Sequence, residues 1–186
     1  MDKLDEVNEL EDAALMARVR ANDDRAAFAA LVRRHEKMLL NFFARSGVQY
    51  DCEDLVQQTF LRLYRYRNRY EARAKFTTYL FMMAKQVWID ELRRRKRHER
   101  LVSGLTAEPQ PTFATSEAAD SAAAGGMDLP RALASLPEAL RLVVELGVYQ
   151  QLPYAEVAEI LGIPVGTVKS RMFHALARLR EFLEEK

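Results

Sequence analysis

Residues 154–178, YAEVAEILGIPVGTVKSRMFHALAR, decide the fold of this chain. They read as two short helices joined by a glycine turn, which is a helix-turn-helix. Val157, Ala158 and Leu161 place apolar groups on one face of the first helix, Gly162 permits the sharp turn, and Pro164 sets the start of the second. In the second helix Val168, Met172, Leu176 and Leu179 recur at helical spacing and are expected to face inward. The outward face then carries Thr167, Lys169, Ser170, Arg171, His174 and Arg178. That face offers donors for phosphate oxygens and base edges, and no carboxylate to repel DNA. An ordinary amphipathic hairpin shows the same periodicity, but not the single turn glycine together with a wholly cationic outer face.

Charge along the chain is uneven. The net charge of +1 conceals four blocks: −5 over residues 1–24, +10 over 25–100, −4 over 101–128 and 0 over 129–186. A block of +10 suits a polyanion, because phosphate neutralisation drives most non-specific nucleic-acid affinity. Cys52 is the only cysteine, which excludes a disulfide framework and a cysteine-rich metal site. His35, His98 and His174 are too scattered for a metal-ligand motif, so neither metal nor cofactor is expected. The acidic amino terminus has the wrong sign for a signal or transit peptide. The most apolar run, YLFMMAKQVWI, is short and contains Lys85, so no membrane insertion is expected and a cytoplasmic location follows.

Outside one stretch, apolar residues recur every three or four positions and Gly and Pro are scarce, so the chain reads as all-α. Helices are expected over Leu10–Ala21, Arg25–Arg45, Asp51–Tyr66 and Lys75–Arg97. Asn22, Asp23 and Asp24 mark the first turn, and Ser46 with Gly47 closes the second helix. The third has acids in its first turn, and between the third and fourth lies RNRYEARA, both basic and aromatic. Residues 103–126, SGLTAEPQPTFATSEAADSAAAGG, replace periodic hydrophobics with Pro, Ser, Thr, Gly and Ala, the composition of a flexible linker. Further helices are expected over Leu129–Leu136, Pro137–Tyr149, Tyr154–Leu161 and Val165–Leu183. The parts are then an acidic tail at 1–9, a helical bundle at 10–98, an acidic linker at 99–128 and a helix-turn-helix domain at 129–186. The linker could reach about 90 Å extended but would average about 30 Å as a coil.

Four stretches in order carry a family resemblance: AAFAALVRRHEKML (26–39), DCEDLVQQTFLRLYR (51–65), FTTYLFMMAKQVWIDELRRRKR (76–97) and the run from Leu136 to Arg180. The chain resembles the bacterial sigma-70 family, in particular the short extracytoplasmic-function (ECF) type that keeps only regions two and four. The resemblance implies a sigma region 2 helical bundle and a sigma region 4 helix-turn-helix. It also implies an alternative sigma factor that binds core RNA polymerase, directs it to promoters and helps to open promoter DNA. The partners implied are the clamp helices of the largest polymerase subunit, the polymerase flap and promoter DNA, with an anti-sigma factor as a further candidate.

The resemblance implies three sets of residues. Asp51, Glu53, Asp54, Gln57 and Gln58, with Leu61 on the same face, are implied to dock on the polymerase clamp. Acids at a helix start also stabilise the helix dipole, which accounts for Asp51 and Glu53 without a partner but less well for the two glutamines. Arg67, Arg69, Tyr70, Arg73, Lys75, Phe76, Tyr79 and Trp88 are implied to hold the displaced strand around the minus-ten element, cations for phosphates and rings for lost stacking. Core packing accounts equally for Phe76 and remains open for Tyr79 and Trp88. Gln86 stands where the family commonly has Asn, and Trp88 where a small residue is common, so the bases read there stay open. Arg93 and Arg94 begin a run of five cations implied to grip promoter duplex. Thr167, Lys169, Ser170, Arg171, His174 and Arg178 are implied to contact the minus-thirty-five element. The linker is implied to thread the route of nascent RNA.

A conventional helix-turn-helix repressor would need a dimer seam or ligand domain, and neither is evident. An enzyme such as a nuclease would need paired carboxylates, metal-binding histidines, a nucleophile or a phosphate loop, and none is present in the sequence. A helical adaptor would bind neither DNA nor polymerase.

Overall fold

The computed structural model describes residues 10–47, 52–71, 75–103 and 129–184. Its elements are α1 (Asp12–Asn22), α2 (Arg25–Arg45), α3 (Cys52–Arg65), a 3-10 turn (Arg67–Arg69), α4 (Phe76–Ser103), α5 (Leu129–Ser135), α6 (Glu138–Val144), a wide π turn (Glu145–Tyr149), α7 (Tyr154–Leu161) and α8 (Val165–Glu184). No strand occurs among the described residues. The chain divides into two compact units, one from residues 1–43 and 49–94, the other from residues 44–48 and 95–186. The acidic tail at 1–9, Asp51, Arg73 and linker residues 104–128 lie outside the described residues.

In the first unit α1 ends at Asp23, whose left-handed backbone (φ 53°) returns its N–H to Val19. Asp24 then starts α2, its Oδ1 accepting from the N–H groups of Ala26 (3.0 Å) and Ala27 (3.1 Å). Along α2 the buried residues Ala27, Ala30, Leu31, His35, Leu39 and Phe42 follow helical spacing, and Phe28 and Val32 beside them are half-buried. Phe42, Phe43 and Phe81 form the centre of the core, with Phe42 and Phe81 centroids 5.4 Å apart. Each fully buried Phe contributes about 1.5–3 kcal/mol. His35, buried against Phe76, meets the Asp12 carboxylate at 2.7 Å and so ties α1 to α2. Burial pushes the His35 pKa down, and Asp12 opposes that shift.

The fourth helix, expected to end at Arg97, continues to Ser103. HERLVS contains neither Gly nor Pro, and nothing stops the ladder before Gly104. Leu80, Phe81, Ala84, Val87 and Trp88 are buried along it, and Met83 and Leu92 are half-buried.

In the second unit α6 and α7 both lie against α8. The helix expected over Pro137–Tyr149 is α-helical only to Val144 and then widens, with Gln150 N–H reaching Glu145 O at 3.0 Å. Gly147 sits in that turn, where a Cβ would come within 2.8 Å of Met172 Cε, so the flexible end of the Met172 side chain would have to shift to admit one. Glu145 is buried in the same turn. Its Oε1 accepts from Gln150 Nε2 at 2.9 Å, and burial raises its carboxyl pKa.

Two core expectations are corrected. Val157, Ala158 and Ile160 are the buried residues of α7, and Leu161 is half-exposed. In α8 the buried set is Val168, Met172, Ala175 and Leu179, and Leu176 is 51% exposed. At roughly 100° per residue, Ala175 stays within about 30° of the buried direction and Leu176 turns about 70° away from it. Spacing allowed both, and the line along which α6 and α7 meet α8 selected Ala175.

Candidate nucleic-acid and partner interfaces

On α3, Leu55, Val56, Thr59, Phe60 and Leu63 face the core, and the buried Thr59 hydroxyl donates to Leu55 O at 2.7 Å. The opposite side carries Glu53, Asp54, Gln57, Gln58 and Leu61, all exposed. Leu61 is 65% exposed, so it belongs with the acids and amides and not with the apolar interior. The result is one continuous strip of acceptors and amides around an apolar centre. Such a strip suits a basic partner with an apolar contact at its middle.

The basic, aromatic segment after α3 is built differently from its appearance in sequence. Tyr70 is 3% exposed and meets Phe76 (6.1 Å) and Tyr79 (5.3 Å) edge to face. Burial raises the hydroxyl pKa of both Tyr70 and Tyr79. Tyr79 is half-buried and its hydroxyl donates to Tyr66 O at 3.3 Å. Phe76 and Trp88 are buried, and Trp88 Nε1 has no hydrogen-bond partner among the described residues. Tyr70, Phe76 and Trp88 are therefore interior residues that present almost no face to solvent, with Tyr79 half-buried beside Tyr70. Arg67 is also engaged: Nη1 donates to Tyr64 O at 2.9 Å, and its guanidinium lies 4.3 Å over the Tyr64 ring.

What remains accessible is a smaller set. Arg69, Lys75 and Gln86 are exposed, as expected of contact residues. Arg69 lies 4.9 Å over the half-exposed Tyr66 ring, with Asn68 exposed beside it. Tyr66 and Asn68 escaped the sequence reading, although their position inside the basic segment was a usable signal. Beneath Asn68 and Tyr70 lies a cleft of about 460 Å³ floored by Ala13, Ala17 and Ala21, with Arg20 at its edge. Farther along α4, Arg93 and Arg94 are exposed, and Arg94 is held by the buried Glu91 carboxylate at 2.7 and 2.9 Å. That clamp fixes one cation of the run in place.

On α8 the outer surface has two flanks. Thr167, Arg171, His174 and Arg178 lie on one side, and Lys169, Phe173, Leu176 and Arg180 on the other, at roughly 100° per residue. Lys169, Ser170, His174 and Arg178 are exposed, while Thr167 and Arg171 are half-buried. Phe173 is 71% exposed and its ring meets His174 edge to face at 5.7 Å. The sequence reading grouped Lys169 with the polar flank and passed over Phe173. Gly162 holds the bend with φ 67°, its N–H bonded back to Ala158 and Glu159 carbonyls. Pro164 O accepts from Thr167 (2.9 Å) and Val168 (3.2 Å), which starts α8.

Among the described residues no group of three or more His, Cys, Asp or Glu side chains is placed to hold a metal ion. No helix among the described residues is long and apolar enough to cross a membrane.

Residues 31–98 match the family model of sigma-70 region 2, and residues 126–179 that of sigma-70 region 4. The chain is similar to the ECF RNA polymerase sigma factor RpoE of Cereibacter sphaeroides, 33% identical over 174 residues, 91% of this chain and 93% of the relative. It is 29% identical over 171 residues to SigW of Bacillus subtilis, also an ECF RNA polymerase sigma factor, covering 87% of this chain and 91% of that one. Among solved structures it resembles the sigma factor RpoE of Bartonella quintana, seen in complex with the anti-sigma factor NepR. The TM-score is 0.68 and the identity 27%, over 84% of this chain and 96% of that one.

Proposed function

We infer, for a chain that belongs to the ECF branch of the sigma-70 family and is thus an alternative sigma factor directing RNA polymerase to promoters, a division of that work among three surfaces. The observation that carries the reading is the exposed strip on α3, where an apolar Leu61 surrounded by Glu53, Asp54, Gln57 and Gln58 has no role in the first unit's core. This strip docks on the clamp helices of the polymerase. Asp54→Arg should therefore lower affinity for core polymerase by roughly tenfold or more, since like charges across an interface cost several kcal/mol. Asp54 is exposed, so thermal unfolding of the variant should barely move. Equal affinity in a core-binding titration would remove the docking assignment.

The second surface is the segment from Tyr66 to Lys75 together with the cationic run of α4. It opens promoter DNA: Arg69, Lys75 and the run hold phosphates, Tyr66 offers a stacking face, and the cleft beneath Asn68 has room for one extruded base. Tyr70, Phe76, Tyr79 and Trp88 serve this surface as its supporting wall. The third surface is α8, whose polar flank enters the major groove at the upstream element. Its Phe173 and Leu176 flank supports docking of the polymerase flap, and an anti-sigma factor of the kind seated on the Bartonella relative is the competing occupant. The chain works in the cytoplasm and catalyses no step itself, since the bond-forming chemistry belongs to polymerase. Transcription from promoter fragments by purified core with and without the chain tests the whole reading. Promoter-specific transcripts only in its presence are expected, and operator binding by the chain alone with no effect on core would replace it with a repressor.

A further inference from the structure

The first helix lines the cleft of the strand-opening surface, and its carboxyl end also touches the segment after α3 at two places. Arg20, in the last turn of α1, donates from Nη1 to Tyr70 O at 3.2 Å. Asp23, the residue that ends α1, accepts a short hydrogen bond from the Tyr64 hydroxyl and lies 3.4 Å from Arg67 Nη2. Arg67 in turn stacks on Tyr64 and bonds its carbonyl. Arg67, which begins the 3-10 turn, and Tyr70, which follows it, are thus both held from the end of α1.

Asp23 ends α1 in the left-handed backbone (φ 53°) that aspartate tolerates and that commonly closes a helix, and its carboxylate meets Tyr64 and Arg67. The Asp23 side chain is also half exposed, so the network contributes little to global stability. Its consequence is geometric. With Arg67 and Tyr70 held, Asn68 and Arg69 between them are the residues turned outward. The same contact raises the pKa of the Tyr64 hydroxyl, the bond to Asp23 being the first cause.

We propose that the α1–α2 turn, acting through the Asp23 carboxylate, is the positioning element that presents Asn68 and Arg69 for strand opening. The inference rests on the reading of the 66–75 segment as the strand-opening surface. Asp23 touches no DNA in it, and acts through Tyr64 and Arg67.

The test uses holoenzyme reconstituted from core polymerase and the full chain, with opening followed by permanganate reactivity of thymines. Two templates are compared, a duplex promoter and the same promoter pre-opened by mismatches. Asp23→Gly keeps the left-handed backbone without strain and removes the carboxylate. It should slow opening of the duplex on the order of tenfold, given how steeply rates respond to a misplaced group. Transcription from the pre-opened template, core affinity and thermal unfolding should stay near those of the parent. Asp23→Asn retains an acceptor and tolerates the same backbone, so it should recover most of the rate. Tyr64→Phe removes only the hydroxyl and should fall between the two. The contact-face variant Tyr66→Ala/Arg69→Ala serves as the reference. If it opens slowly while Asp23→Gly and Tyr64→Phe match the parent, the positioning inference is overturned and the strand-opening reading stands. If it matches the parent, the reading of the segment fails and takes the inference with it. Equal losses on both templates with a lowered unfolding temperature would make Asp23 merely structural and overturn the proposal.

Discussion

In the second unit the bend between α7 and α8 is made by residues from Ala158 to Val168, all bonded to near neighbours in the chain. In the first unit the 3-10 turn is closed by equally local bonds, Arg69 N–H to Tyr66 O (2.8 Å) and Tyr70 N–H to Arg67 O (3.2 Å), but its flanks are also held from far away in sequence, Tyr64 and Arg67 by Asp23 and Tyr70 O by Arg20. The difference lies in those distant contacts. A turn set by one glycine and one proline forms wherever that short sequence occurs, because the allowed backbone angles are local properties. The contacts of Asp23 and Arg20 to the segment after α3 form only once α1 and α3 have come together. The surface proposed to read the upstream element thus starts from a locally made bend, and the surface proposed to open DNA carries contacts to a turn distant in sequence.

The largest effect that sharpens this contrast is expected on α8 itself. We expect Arg171→Ala to relax discrimination at one upstream position by about 1–3 kcal/mol, the value of a bidentate base contact, or roughly 5- to 150-fold. Lys169→Ala, on the flank shared with Phe173, should weaken binding to all sequences alike and flatten the salt dependence. Competition binding of holoenzyme to a randomised upstream element measures both. Unchanged selectivity in Arg171→Ala would move base reading to another residue of the helix.

Next in size is the local turn. Gly162 has φ 67° with nothing within 4 Å of where a Cβ would stand, so the only penalty on substitution is backbone strain. Gly162→Val should cost about 1–2 kcal/mol of stability, the left-handed penalty for an L residue, and Gly162→Asn much less. Thermal unfolding followed by circular dichroism distinguishes them. Equal losses for both would mean that the turn is controlled by packing and not by its own backbone.

The smallest effect lies at Asp24, which caps α2 and meets Arg18 Nη2 at 2.7 Å. Its pKa is lowered from the ordinary 3.8, first by the Ala27 N–H and also by Arg18, against the opposing effect of burial. A depressed carboxyl pKa contributes stability that is complete above the unfolded value and drains away as pH falls through it towards the folded value. Asp24→Ala should thus lose about 1 kcal/mol at neutral pH, the usual worth of an N-cap, with the gap from the parent closing in acid. A gap that stayed constant down to acid pH would show that the Asp24 charge plays no part.

Much of this architecture was legible before any coordinates. The bounds of α2 and α7 agree with their periodicity, and the Asn22–Asp24 and Gly47 turns stand where their residue types placed them. The exposed strip of α3 was also readable, because Asp54, Gln57 and Leu61 share a face by spacing alone. The misreadings concern which of two neighbouring apolar residues is buried, as at Ile160 against Leu161 and Ala175 against Leu176. Hydrophobicity cannot separate such neighbours, because either one satisfies the period and the packing partner chooses between them. Tyr70, Phe76 and Trp88 show the same ambiguity at a functional surface: their ring chemistry suits both a core and a stack of bases, and here the core holds them.

What the sequence by itself determined is the set of local objects: helices, a glycine bend, a basic outer face, a cationic run and an acidic start to α3. Each depends on residues within one or two turns of each other, where the backbone and the helical period leave little choice. Only the tertiary structure decided which aromatic residues became wall and which cations stayed outward, and it joined Asp23 to Tyr64 and Arg20 to Tyr70. Those outcomes depend on the meeting of segments far apart in the chain, and no property of the individual residues specifies that meeting before the core is packed.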